Sequence, residues 1–207
     1  MVLLIVLVGV ILRCVMLFQP ITYDEAFTYT YFATRPLYII LSDYSYPNNH
    51  VLNTILINLF TSILGVSKFT VRLPAFIAGV ACLPLFYMFV RHMFNRYIAL
   101  VALAFVASSP RLIEYSALGR GYAITWLCLI LALLLGRRFA KENDLVSAML
   151  IGVVCAIGMW AVPTMVYPAL MIYLWLILYI LNKYKDSRID RVWNWLGSII
   201  VFVILSL

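Results

Sequence analysis

QPITYDEAFTYTYFATRPLYIILSDYSYPNNH, Gln19 to His50, is a polar, aromatic stretch set between two very apolar ones. Met1 to Phe18 is almost unbroken hydrocarbon, and hydrophobicity resumes at Val51. Within the stretch sit an adjacent carboxylate pair, Asp24–Glu25, and the run Asn48–Asn49–His50. The chain has only eight acidic residues in all. Two of them side by side, just past a membrane-length apolar run, need a reason.

The 207 residues are 66% hydrophobic and 11% charged, with a mean hydropathy of +1.05. A soluble domain is closer to half apolar and a quarter charged, so the composition implies an all-α polytopic membrane protein. A span needs roughly 20 apolar residues, with polar flanks extending shorter runs. The candidates are Val2–Phe18, Leu73–Val90, Ile98–Ser108, Tyr122–Leu135, Leu145–Trp160, Met165–Leu181 and the run opening at Trp193, about seven transmembrane helices in all. No small-residue cleavage site follows the first run, so it is expected to stay as a span. The last run stops at Leu207 with no polar tail, and the sequence reads as cut inside a helix. The expected organisation is a single membrane module over 1–207, truncated at its C-terminus, with a long first extracytoplasmic loop at 19–50 and a second polar island at 109–121.

The net charge of +7 does not point to nucleic acid. The basic residues flank apolar runs, where positive charge sets orientation, and no basic stripe with interleaved aromatics runs through a soluble segment. Topology turns on Val51–Leu64, which is short and carries Asn53, Thr54, Asn58, Thr61 and Ser62. If it crosses by itself, strict alternation puts nine cations outside: Arg91, Arg96, Arg137, Arg138, Lys141, Lys183, Lys185, Arg188 and Arg191. If 51–90 makes one net crossing, those nine lie inside, and 19–50 shares the outer face with 109–121. The positive-inside rule favours the second arrangement.

Thr22, three residues before Glu25, fits a capping box, so the carboxylate pair reads either as the first turn of a surface helix or as a general base held at the membrane face. Asn48 or Asn49 suits an N-cap for the helix that follows. The mouth of that helix also suits an anion, with His50 as donor, positive charge or weak candidate metal ligand. Arg120 lies between Gly119 and Gly121, where a ligand can approach the backbone, and its fork suits phosphate; the alternative is an Arg snorkelling to the interface. Arg13, five residues before the end of the first span, is costly there unless it snorkels or faces a polar cavity. Lys68 and Arg72 read as interfacial anchors. Residues Ala26–Thr34 contain no breaker and suit a short interfacial helix, and the tyrosines around them suit the headgroup level or a sugar-stacking surface. The four cysteines show no metal spacing and read as packing residues.

These motifs together resemble the membrane glycosyltransferases of the C-type fold, closest to the superfamily of protein O-mannosyltransferases and lipid A aminoarabinose transferases. The matching elements, in order, are Asp24–Ala26 (DEA) after a first span, Asn48–Thr54 (NNHVLNT), Gly65–Pro74 (G-x-x-x-F-x-x-R-L-P) and Ser109–Ala123 (SP…EYS…GRGYA). The resemblance implies a sugar donor on a polyprenyl phosphate and a glycan, lipid or protein acceptor. It implies a site facing the outside of a prokaryotic cytoplasmic membrane, or the lumen of the endoplasmic reticulum. Asp24 matches the catalytic acidic position as base for an inverting in-line displacement. Glu25 would support Asp24 or touch the acceptor, and Asn49, His50, Arg120 and Tyr122 would bind substrate or the leaving phosphate. A divalent metal is an open expectation. Members usually carry more spans and often a soluble C-terminal domain, and often His-Pro where this chain has His50–Val51. The alternative function is a non-catalytic membrane module that binds lipid-linked sugar or serves a larger complex. A transporter is disfavoured, because the spans hold almost no ionisable residue besides Arg13.

Overall fold

The computed structural model describes residues 1–184 and 188–207, and among these it is helical with no strand. The helices are α1 (Val2–Leu17), α2 (Tyr23–Phe27), α3 (Leu37–Ser42), α4 (Val51–Leu64), α5 (Lys68–Met93), α6 (Arg96–Ser108), α7 (Pro110–Ala117), α8 (Tyr122–Glu142), α9 (Leu145–Ala161), α10 (Val166–Lys183) and α11 (Arg188–Ser206). A π-helical turn, Thr28–Ala33, continues α2, and a 3-10 turn, Pro163–Met165, precedes α10. Each of the expected apolar runs is found as a helix; α5, α6, α8, α10 and α11 extend into polar flanks, whereas α1 and α9 stay close to the run itself. Four segments are long and apolar enough to cross a bilayer: Lys68–Met93, Tyr122–Glu142, Pro163–Lys183 and Arg188–Ser206. The pair α6–α7, bent by 58°, makes a fifth, and α1, α4 and α9 are shorter apolar helices. The protein is a multi-pass membrane protein.

Local chemistry fixes the element ends. Ser67 and Thr70 cap α5 reciprocally, Asn95 accepts from the amides of Tyr97 and Ile98 at the start of α6, and Asp144 does the same for Val146 and Ser147 at α9. The turn between α4 and α5 uses Gly65 at φ 81°, a region only glycine enters freely. Pro110 starts α7 at its first position, where its missing N–H costs nothing, and it holds Ser109 extended; that is the cause of the α6–α7 bend.

The chain divides into two units, 1–127 and 128–207. In the first, α5 packs against α1, α4, α6 and α7. Leu83, Leu103 and Ala107 form a core with Val6 and Val10 of α1. The close approach depends on small residues: a Cβ at Gly9 would lie 2.9 Å from Leu83 Cδ1, and one at Gly79 would overlap the Ser116 side chain. Arg13 is 1% exposed. It does not snorkel. Nε donates to Ser116 Oγ at 3.1 Å, and Nη1 donates to the carbonyls of Gly9 and Ala107 at 3.0 and 3.2 Å. Arg13 therefore ties α1 to both arms of the bend and satisfies a carbonyl that the bend releases. In the second unit α9 and α11 pack tightly, with Gly152 against the Ser198 carbonyl.

Candidate active site

α2 begins as the sequence requires. The Thr22 hydroxyl accepts from the Glu25 amide at 3.4 Å, and the Thr22 amide donates to Glu25 Oε2 at 2.9 Å, a complete capping box. The helix then turns its two carboxylates in different directions.

Glu25 is fully buried. Its Oε1 accepts from Arg72 Nε at 2.7 Å and from the Gly119 amide at 2.8 Å. Its Oε2 accepts from Arg72 Nη2 at 2.8 Å and from the amide and hydroxyl of Thr22 at 2.9 and 3.0 Å. Burial opposes the charge, but the Arg72 fork and the Thr22 and Gly119 amides outweigh it and hold the Glu25 carboxyl below the usual carboxylate range. Arg72 is equally committed. Nη1 donates to the carbonyls of Leu17 and Gln19, and Nη2 to that of Pro20. Arg72 is thus no interfacial anchor, contrary to expectation. It is a buried staple joining the end of α1, α2 and the loop after α7. Lys68 is half-buried and donates to the Phe18 carbonyl. Glu25 has no oxygen left for an acceptor.

Asp24, one residue earlier, points the other way. Its side chain is 46% exposed, and Oδ2 accepts from Arg120 Nη1 at 2.6 Å, with the Arg120 side chain 16% exposed. Oδ1 accepts from Asn48 Nδ2 at 3.2 Å. Arg120 Nε is buried without a hydrogen-bond partner. Arg120 lies 5.4 Å from the Tyr122 ring, which meets His50 at 5.4 Å and Tyr115 at 4.9 Å. Arg120, paired with Asp24, therefore lies over Tyr122, which packs with Tyr115 and buried His50. The two polar segments, 19–50 and 109–121, meet here at one end of the first unit.

Gly119 makes this geometry possible. Its amide holds Glu25 and its carbonyl accepts from Asn53 Nδ2 at 2.9 Å. A Cβ there would lie 2.9 Å from Val71 Cγ1 and 3.5 Å from Glu25 Oε1, so a larger residue has to displace buried Val71 to keep this turn.

Neither Asn48 nor Asn49 is the N-cap of α4; His50 holds that position, without a side-chain cap. Asn49 is spent internally: Nδ2 donates to the carbonyls of Ile40 and Asp43, and Oδ1 accepts from the Thr54 hydroxyl. It clips the end of α3 to α4 and leaves its amide no donor for a ligand. Among the described residues no three of His, Cys, Asp or Glu gather to hold a metal ion. The nearby carboxylates are taken by Arg72 and Arg120, so the side chains present do not form a metal donor set. The sequence reading missed Arg72 and Asn53 as site residues. Both are polar groups inside helical apolar runs, the one signal that marked them.

A family model described as dolichyl-phosphate-mannose-protein mannosyltransferase matches residues 51–207. The match takes in Asn53, Arg72, Gly119, Arg120 and Tyr122, and starts after Asp24 and Glu25. No curated protein and no solved structure matches the chain. With membrane-length helices and that match over most of its length, the chain belongs to the dolichyl-phosphate-mannose-protein mannosyltransferase family, a family of membrane glycosyltransferases of the mannosyltransferase type.

Proposed function

We propose that the chain carries the catalytic module of an enzyme that moves a sugar from a polyprenyl-phosphate donor to an extracytoplasmic acceptor, with inversion at the anomeric carbon and Asp24 as general base. The observation that carries this reading is the pairing of a half-exposed carboxylate with a phosphate-suited guanidinium, Asp24 Oδ2 to Arg120 Nη1 at 2.6 Å, on a rigid buried base.

The acceptor hydroxyl gives its proton to an Asp24 oxygen as its own oxygen bonds to the anomeric carbon. The bond from that carbon to the donor phosphate breaks on the opposite face, and the electron pair leaves with the polyprenyl phosphate. Arg120 answers the charge that develops on that phosphate. Its buried Nε is a donor with no acceptor, suited to a phosphate oxygen. A phosphate oxygen competing for Nη1 would also free Asp24 to take the proton, so donor occupancy and base availability rise together. Asn48 orients Asp24 through Oδ1. Tyr122 and His50 supply the wall against which the sugar or phosphate lies. Glu25 acts by position alone, holding α2 and Gly119 to Arg72.

The test is Asp24→Asn in membranes supplied with a polyprenyl-phosphate-linked sugar. The expected outcome is loss of transfer by at least ~100-fold, the scale of a general base, with normal insertion and unchanged thermal stability. Wild-type turnover in that variant removes Asp24 as the base. Donor binding without turnover in the wild-type chain supports the non-catalytic module instead.

A further inference from the structure

The second unit carries a cluster of cations that the transfer chemistry does not use. The C-terminal ends of α8 and α10 and the start of α11 meet around two tyrosines, Tyr179 and Tyr184, with ring centroids 6.0 Å apart. Lys183 Nζ donates to the Tyr179 hydroxyl at 2.7 Å and lies 5.9 Å from the Tyr184 ring. The Arg191 guanidinium lies 3.6 Å from the Tyr184 ring centroid, and Nη1 donates to the Ala140 carbonyl, which also accepts from the Tyr184 hydroxyl. Arg188 caps α10, donating to the carbonyls of Leu181 and Tyr184. Lys141 lies within electrostatic reach of Tyr179. One turn before Lys141, on the same helix face, Arg137 Nη1 is buried with no hydrogen-bond partner.

Glu142 and Asp144 are both taken by Arg138, at 3.1 and 3.2 Å. Asp190 forms no ion pair among the described residues, and neither does Arg137, Lys141, Lys183 or Arg188. Like charges brought together repel one another, and an anion that joins them relieves the repulsion. Helix-end carbonyls carry only partial charge and answer part of that cost. The unpartnered Arg137 nitrogen is a donor of the kind a phosphate oxygen fills.

We propose that this end of the second unit binds the phosphate of an anionic phospholipid headgroup. A lipid, rather than soluble phosphate, fits because the cluster stands at the mouth of apolar helices whose outer faces are bare. Leu178 and Leu181 of α10 and Ile189 and Trp193 of α11 are all exposed, Ile189 at 72% and Trp193 at 67%. Acyl chains lie along those faces while the headgroup meets the cations and the tyrosine hydroxyls, the arrangement of an interfacial anchor. The charge bias of the chain puts this end on the cytoplasmic side, the leaflet that in many membranes is rich in anionic lipid. The inference is independent of the transfer reading.

The experiment measures the melting temperature of the purified full chain in a neutral detergent, titrated with phosphatidylglycerol, with phosphatidylcholine of the same acyl chains, or with inorganic phosphate at matched ionic strength. The expected result is a saturable rise with phosphatidylglycerol and none with phosphatidylcholine. The combined variant Arg137→Gln, Lys141→Gln and Lys183→Gln should reduce the rise by at least half, and Arg96→Gln, a cation of the first unit, should keep it. If the triple variant fails to fold, Lys141→Glu alone takes its place, since that side chain makes no hydrogen bond or ion pair among the described residues. An equal rise in the triple variant or in Lys141→Glu, or with phosphatidylcholine, overturns the proposal. A saturable rise with inorganic phosphate that the variants abolish overturns the lipid assignment.

Discussion

Asp24 and Glu25 are chemically similar neighbours, and their environments give them different work. Five hydrogen bonds, two of them from the Arg72 fork, fix Glu25 in the interior, while Asp24 keeps nearly half its surface and pairs with Arg120. Removing one partner of a buried pair leaves the other charge uncompensated, at about 3–5 kcal/mol. Arg72→Met and Glu25→Gln should therefore lower the melting temperature by many degrees, whereas Asp24→Asn should barely move it; calorimetry in detergent reads the contrast. The Glu25 carboxyl titrates lower folded than unfolded, so its stabilisation is complete above the unfolded carboxylate value of about 4.3 and is lost as pH falls through the folded value. Melting temperature should hold level from neutral pH to about pH 5 and fall in more acid solution. The fall should be smaller in Glu25→Gln, and an identical acid limb in that variant would assign it to other groups.

At the scale of elements, the site rests on where short helices meet long ones. The bend at Ser109–Pro110 turns α7 back against α5, and the missing Cβ of Gly79 admits the Ser116 side chain there. Gly79→Ala should cost about 1–3 kcal/mol by overpacking and displace α7, hence the Gly119–Arg120 turn that follows it. Lower melting temperature together with weaker transfer is the expected pair of readings. An unchanged melting temperature would mean that α5 and α7 do not approach this closely. Thr22→Ala removes one half of the α2 capping box, a loss of about 1 kcal/mol. It also takes one of the donors from Glu25 Oε2, so its effect should exceed that of the exposed cap variant Asn95→Ala.

For the whole chain, the charge pattern and the Asp24–Arg120 bond agree on one arrangement of the polar segments. In a background without native cysteines, single cysteines at exposed Tyr44 and Arg111 should react with an impermeant thiol reagent from the same side of sealed membranes. Cysteines at Arg96 and Lys141 should react from the other. Labelling of Tyr44 and Arg111 from opposite sides would mean that the two segments do not meet at one end of the first unit.

Composition and apolar run lengths determined the helical membrane class, the positions of most apolar helices and the polar stretch after the first of them, because a bilayer demands long unbroken apolar helices whatever the partners are. Spacing alone also determined the capping box at Thr22, since a cap is a contact within four residues. Asp24, Asn48 and Arg120 were legible as polar groups in unusual places. That they touch was not, since bonds such as Asp24–Arg120 and Glu25–Gly119 close over more than 90 residues. Only the tertiary structure decided that Arg72 is a buried partner of Glu25 rather than an anchor, that Asn49 is a clip, and that Asn53 holds Gly119. A side chain's role depends on which atoms surround it, and in this chain those atoms come from helices whose mutual packing no local pattern encodes.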